Sequence, residues 1–374
     1  MKKILFISNI TKKITNFSIP SITAAQQLGY EFHMAANLSN FADDETDYNV
    51  TLHHINLDRN PFSIKNFRAY REMLTLIKKE RFDVIHCNTP IGGILGRLCG
   101  KRAKIKNVIY TAHGFHFYKG APLKNNIIFK MAEKWMAQYT DAIITMNNED
   151  FKEAQKLKLR RNGRAYYIPG VGVDTKLYQD NQVDKKRLKE SLTIKEDDIL
   201  LISMGDLIQR KNYEASIEAI AKTDNPKLHY LICGVGPKLE SLQILAKNRG
   251  IEKQIHFLGF RTDIKELLAI ADIFLFTTYQ EGLPRSLMEA MATGLPCVVS
   301  NVRGNVDLIN NNEGGYLLDP DDIGGIAKAI NKLASNKELR RNMSARNLEE
   351  IKRYDVENIK KEMQKIYREV LLND

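Results

Sequence analysis

Short apolar runs alternate with longer stretches in which apolar positions recur every three or four residues, and this alternation occurs twice along the chain. In the first half, runs at 3–8, 31–36, 50–55, 83–87, 107–112 and 142–146 read as strands, separated by helical stretches such as 65–79 and 126–138. A second series occupies 198–204, 228–233, 255–258, 273–276, 297–300 and 316–318. Runs such as Ile273-Phe274-Leu275-Phe276 are apolar at every position, the pattern of strands buried on both faces. Strands of this kind separated by helices predict an α/β protein with parallel, doubly wound sheets. Proline and two glycines in Ile168-Pro169-Gly170-Val171-Gly172-Val173-Asp174 separate the two series. The expected domains are 1–168 and 173–355, each Rossmann-like, followed by an amphipathic helix at 356–374 that no strand follows.

Length and composition agree with this division: 374 residues suit two domains, and 43% hydrophobic with 27% charged residues excludes a disordered chain. Cys87, Cys99, Cys233 and Cys297 lie mostly in apolar segments without metal-ligand or disulfide spacing, so a reduced, cytoplasmic setting is expected. The start mimics a signal peptide, but its apolar run ends at Ser8-Asn9 and charge returns at Lys12-Lys13, which favours a first buried strand. No run approaches the ~18 apolar residues of a membrane span. Charge is divided unevenly: residues 1–170 carry 26 Lys and Arg against 14 Asp and Glu, net +12, whereas 171–374 carry 30 against 31, net −1. Basic clusters at 101–106 and 156–164 suit an anionic membrane surface, a diphosphate-linked acceptor or nucleic acid, or simply a solvated face.

The densest chemistry is in Glu281-Gly282-Leu283-Pro284-Arg285-Ser286-Leu287-Met288-Glu289, between the 273–276 strand and a stretch of helical propensity that stops at Gly294-Leu295-Pro296. In a doubly wound sheet, the carboxyl end of a strand opening into a helix is where ligands bind, and the free N–H groups there favour phosphate. Leu283, Arg285 and Ser286 can offer backbone N–H groups, whereas Pro284 cannot. Glu281 in the loop and Glu289 in the helix can turn carboxylates toward one ligand. A sugar nucleotide, with its diphosphate and hydroxyls, suits that combination.

Together with Ile109-Tyr110-Thr111-Ala112-His113-Gly114-Phe115-His116, Ser203-Met204-Gly205-Asp206-Leu207, Arg210-Lys211-Asn212, Phe257-Leu258-Gly259-Phe260-Arg261 and Arg303-Gly304-Asn305, these residues make the chain resemble glycosyltransferase family 4. That family comprises retaining sugar-nucleotide transferases with two Rossmann-like domains facing across a cleft, the GT-B architecture. The likeness is to the branch that assembles bacterial capsular, exopolysaccharide or lipid-linked glycans. It implies that the first domain takes the acceptor, that the second binds the nucleotide sugar, and that the final helix crosses back onto the first.

The resemblance also implies residue roles. Arg210 and Lys211 compensate the leaving UDP, Glu281 contacts the donor sugar and Glu289 accepts the ribose hydroxyls. Phe260 and Arg261 hold the base through backbone atoms, with Gly205 and Gly234 in strand-end turns nearby. His113 bonds the donor sugar, and His116 nearby is counted with the acceptor residues. The first loop lacks the Gly-Gly pair of many relatives, leaving Lys12, Lys13 or Thr15 to meet the acceptor. Asp206 stands where relatives commonly have arginine; an acid cannot neutralise phosphate, and Arg210 is the residue placed to take over.

No metal and no cofactor are expected beyond a UDP-sugar donor. The one Asp-x-Asp match, Asp319-Pro320-Asp321, precedes a helix at 323–333 and reads as its N-terminal cap. Gly234-Val235-Gly236-Pro237-Lys238-Leu239 lacks the third glycine of a dinucleotide fingerprint, which argues against a dehydrogenase. The expected activity is retaining transfer of a hexose or N-acetylhexosamine from a UDP-sugar to a glycan acceptor linked to undecaprenyl diphosphate. The expected location is the inner face of the cell membrane, peripherally attached, without a nucleic-acid partner. Two alternatives stay open: a UDP-N-acetylglucosamine 2-epimerase on the same architecture, or a basic module that only binds sugar nucleotides or nucleic acid.

Overall fold

In the computed structural model, which describes residues 1–42, 48–61, 63–179 and 182–372, both strand series form all-parallel sheets. β1 (Lys2–Ile10), β2 (Tyr30–Asn37), β3 (Val50–His54), β4 (Val84–Asn88), β5 (Asn107–Ala112), β6 (Ala142–Thr145) and β7 (Arg164–Tyr167) are ordered β3-β2-β1-β4-β5-β6-β7. β8 (Ile199–Met204), β9 (Leu228–Cys233), β10 (Ile255–Gly259), β11 (Ile273–Phe276), β12 (Cys297–Ser300) and β13 (Gly315–Leu318) are ordered β10-β9-β8-β11-β12-β13. The chain divides into two compact units, one of Met1–Gly172 plus the last helix, Val356–Leu372, and one of Val173–Asp355. Residues 373–374, included in the expected final helix, lie outside the described residues.

β7 does not stand out in the sequence. It is a four-residue edge strand, largely half-buried and running straight out of a basic segment, so neither alternation nor a continuous apolar run marks it.

The pleat of β1 divides its side chains between two cores. Leu5 and Ile7 face the helices Ile64–Glu80 and Pro90–Ala103, while Ile4 and Phe6 join Ile22, Ile359, Met363 and Tyr367. The last helix is thus part of the first unit's core. Tyr367 Oη lies 2.6 Å from His86 Nδ1, and His86 Nε2 lies 2.7 Å from Thr111 Oγ1. Full burial pushes His86 down to about 3, so both hydrogen bonds involve a neutral ring. Gly172, with φ of +82°, leaves room for the returning chain, since a Cβ there would lie 2.8 Å from Val356 Cα.

Candidate active site

Both sheets reverse their strand order at one point, between β1 and β4 and between β8 and β11, and the carboxyl ends of these strands and of β5, β9 and β10 carry most of the residues singled out by sequence. In the second unit, β11 leads through Thr277 and Thr278 to Glu281, which is 9% exposed. Glu281 Oε1 accepts from Lys211 Nζ and Arg210 Nη1, each at 2.9 Å, and from Thr278 Oγ1 at 2.8 Å. Buried Arg303, in the loop after β12, donates from Nε to the Glu281 carbonyl at 2.9 Å. Burying a carboxylate costs free energy unless it is paired and hydrogen-bonded. Glu281 therefore aims both cations, and the cations make its burial tolerable.

The two cations differ in setting. Lys211 is largely enclosed, with Nζ 4.5 Å from the centre of the Phe276 ring; burial lowers its pKa, and Glu281 opposes that shift. Arg210 is more open, at 39% side-chain exposure, and its Nη1 also donates to the Gln280 carbonyl. Asp206 is exposed on the loop after β8, and its charge acts on Lys211.

Gly205 takes φ of +150°, and a Cβ there would come 3.2 Å from Lys211 Cε. Gly234 is glycine for another reason. A Cβ there would lie 1.9 Å from the Gly205 carbonyl oxygen, because the loops after β8 and β9 are laced together by Gly205 N to Cys233 O at 3.0 Å and Leu207 N to Val235 O at 2.9 Å. This backbone contact alone requires glycine at Gly234.

Glu289 lies on the helix Arg285–Ala292, where its Oε1 accepts from Arg285 Nε at 2.8 Å. The buried Tyr178 phenol meets the same carboxylate; burial first and Glu289 second raise its pKa. Each glutamate thus has its own partners in this structure. Pro284 caps the helix, and among the described residues no backbone carbonyl engages the amides of Leu283, Arg285 or Ser286. Phe260, 78% exposed, follows Gly259 at the end of β10, and Arg261 is clasped by Asp263, with Nε to Oδ1 at 2.7 Å. The Asp319-Pro320-Asp321 expectation needs correction. The cap of the helix Ile323–Ser335 is Asp322, which accepts from Gly325 N at 2.8 Å, while Asp321 accepts from Tyr279 Oη at 2.6 Å.

In the first unit, His113 follows β5, and its Nε2 meets Asn88 Oδ1 at the end of β4. Phe17 packs 5.2 Å away, and burial pushes His113 down to about 4. The loop beyond is anchored by Asp150, whose Oδ2 accepts from Phe115 N at 3.0 Å. His116 is exposed with its ring 5.1 Å from that of Phe129. Lys12 and Lys13 are exposed. The Thr15 carbonyl accepts from Ser18 N at 2.8 Å and Ile19 N at 2.9 Å, opening the helix Ile19–Gln27.

The two basic clusters meet each other. Arg160 donates from Nε to Asp141 Oδ1 at 2.8 Å and from Nη2 to the carbonyls of Ile105 and Lys106 at 3.1 and 3.0 Å, and Arg161 Nη1 reaches Lys106 O at 3.1 Å. Arg160 is therefore a structural tie, not a charge offered to a membrane. Among the described residues, no helix is long and apolar enough to cross a bilayer.

Thr278, Arg303, Tyr178 and Asn88 position the groups above but carry no sequence signal of their own, because each reaches its partner only through the fold. Arg303 comes nearest, lying within a segment that already resembles the family.

Comparison with known proteins places these sites in context. The family described as "Glycosyl transferases group 1" matches residues 184–349, and "Glycosyl transferase 4-like" matches residues 3–147. The candidate glycosyltransferase EpsD of Bacillus subtilis (strain 168) is 34% identical over 371 residues, 98% of this chain and 96% of that protein. The UDP-Gal:alpha-D-GlcNAc-diphosphoundecaprenol alpha-1,3-galactosyltransferase of Escherichia coli is 30% identical over 289 residues, 76% of this chain and 74% of that protein. Among solved structures, Anabaena Alr3699/HepE in complex with UDP and glucose superposes with a TM-score of 0.79 at 19% identity, over 98% of this chain and 99% of that one. With two parallel-sheet α/β domains and relatives of this closeness, the chain belongs to the group 1 and family 4-like glycosyltransferases, enzymes of the GT-B fold.

Proposed function

We propose that the enzyme transfers a hexose or N-acetylhexosamine from a UDP-sugar, with retention and without a metal ion, to a hydroxyl of a glycan carried on undecaprenyl diphosphate. The observation that carries this reading is the trio of Glu281, Lys211 and Arg210 beside the open amides of Arg285 and Ser286. Two cations and a helix start make a receptor for diphosphate that replaces a divalent ion. On binding, the phosphates draw the cations partly from Glu281, whose freed oxygen then accepts from a donor-sugar hydroxyl. Glu289 accepts from the ribose.

His113 is neutral at pH 7, and donating Nε2–H to Asn88 leaves its Nδ1 to accept a sugar hydroxyl. Departure and attack on one face of the sugar, with a UDP oxygen taking the acceptor proton, account for retention. The acceptor class is supported by the diphosphoundecaprenol in the name of the Escherichia coli relative, and attachment to the inner membrane face by the basic excess of residues 1–170.

Calorimetry of UDP in EDTA tests the donor site. Binding is expected to be the same with EDTA as with Mg²⁺, and Lys211→Ala is expected to weaken it by about 1.5–3 kcal/mol, the range for a hydrogen bond to a charged group. Binding that requires Mg²⁺ or Mn²⁺ overturns the metal-free mechanism; wild-type affinity in the variant removes Lys211 from the site. Anomeric analysis of the product formed on a lipid-diphosphate acceptor decides retention.

A further inference from the structure

We infer that a cavity in the first unit, under the helix Leu123–Ala137 and beside the carboxyl ends of β1 and β4, binds an apolar chain bearing an anionic head: the isoprenoid segment of the acceptor. The inference rests on the lipid-linked acceptor proposed above. The cavity holds about 520 Å³, within the range of small-ligand pockets. Its walls include Ile91, Ile94, Phe117, Phe129 and Met136, and its polar edge includes Asn9, Thr89 and Arg59. Arg97 and Glu133 also line it but are paired with each other, so the wall left to a ligand is mostly apolar, with a few polar groups to orient it.

The covering helix is unusual. Only Met136 and Ala137 are buried, while Leu123, Ile127, Ile128, Met131 and Trp135 are each more than half exposed. Apolar exposure this dense marks an interaction site. Beneath it, Glu133 is held by the buried Arg97, whose Nε donates to Gly93 O at 2.9 Å, so one ion pair ties the helix over the cavity.

Position and charge identify the occupant. Thr89 adjoins Asn88, the partner of His113, and His116, three residues beyond His113, lines the same cavity. A chain in the cavity therefore presents its head at the strand ends that carry His113. That head is anionic, because Arg59 lines the polar edge and residues 1–170 carry net +12.

Trp135, the one tryptophan of the chain, is a built-in reporter on the covering helix. The full-length protein is titrated with farnesyl diphosphate, inorganic diphosphate and dodecanol while Trp135 emission is followed. Saturable binding of farnesyl diphosphate is expected, with dodecanol weaker and inorganic diphosphate without effect on Trp135. Ala132→Phe and Ile94→Phe, each filling the cavity from a partly exposed wall, should weaken farnesyl diphosphate about tenfold, the ratio for two methylenes left in water. UDP affinity and melting temperature should hold in both. An unsaturable response, equal binding of inorganic diphosphate, or unchanged farnesyl diphosphate affinity in both variants overturns the inference. Because the donor site also receives diphosphate, the titration is run with UDP saturating that site, so its failure is distinct from failure of the transferase reading, which the UDP calorimetry judges.

Discussion

At the carboxyl ends of β8 and β11 a buried carboxylate holds two cations, whereas at those of β1, β4 and β5 a neutral histidine stands beside a largely apolar cavity. The sheets that present these groups are topologically alike. Both put their reversal point next to the central strand, and both open loops at the same end. What differs is the loop chemistry, two cations gathered on a carboxylate in one unit and a mostly apolar wall beside a neutral histidine in the other. One architecture thus presents two different chemistries at its strand ends without changing its strands.

The largest effect expected from breaking this contrast is at Glu281. Glu281→Gln should lower turnover by roughly a hundredfold or more, the scale of losing a preorganised polar group at a reacting centre. UDP affinity should hold or improve, because the diphosphate no longer competes with the carboxylate for Arg210 and Lys211. Steady-state kinetics beside UDP calorimetry checks both halves; equal losses in both would make Glu281 only a structural support of the cations.

Next comes acid. His86 and His113 are held neutral to about 3 and about 4, below an ordinary value near 6.5, so between pH 6.5 and 4 unfolding takes up about two protons at this pair. Their contribution is fully present above pH 6.5 and is lost as pH falls through that window, at about 1.4 kcal/mol per proton per pH unit. Burial also lowers His53 in this unit and His256 in the second. Hydrogen exchange at pH 7 and pH 5 should show protection falling first in the unit of β1–β7, and less so in His86→Gln. Equal loss in both units contradicts the assignment.

The smallest effect concerns Tyr178. Tyr178→Phe keeps the ring and removes one hydrogen bond to Glu289, so UDP should weaken about fivefold, the net worth of about 1 kcal/mol. Inorganic diphosphate, which has no ribose, should bind the variant and the parent equally. A loss shared by both ligands would show that Tyr178 supports the helix and not the ribose contact.

Much of the fold is legible because buried parallel strands are apolar at successive positions: β1 and β11 announce themselves by this. β7 does not, because an edge strand with partly exposed side chains needs no such run. The site divides in the same way. Glu281, Lys211 and His113 are visible because strand-end loops are short and hold their chemistry close in sequence. Tyr178, over a hundred residues before Glu289, is not, and neither is Asn88, the partner of His113. Arg160 shows the converse: a run of basic residues reads as charge offered to an anionic partner or to solvent, yet Asp141 and two carbonyls, brought opposite by β6 and the chain before β5, engage it.

The helix Val356–Leu372, which fills the core beside β1, also sets an order of events during synthesis. Val173–Asp355 is continuous and can fold once it has emerged from the ribosome, whereas Met1–Gly172 waits with Ile22, Phe32 and His86 uncovered until Ile359, Met363 and Tyr367 arrive. The half made first is completed last. Until the helix Val356–Leu372 has emerged it presents an open apolar groove, which makes it the natural client of a chaperone.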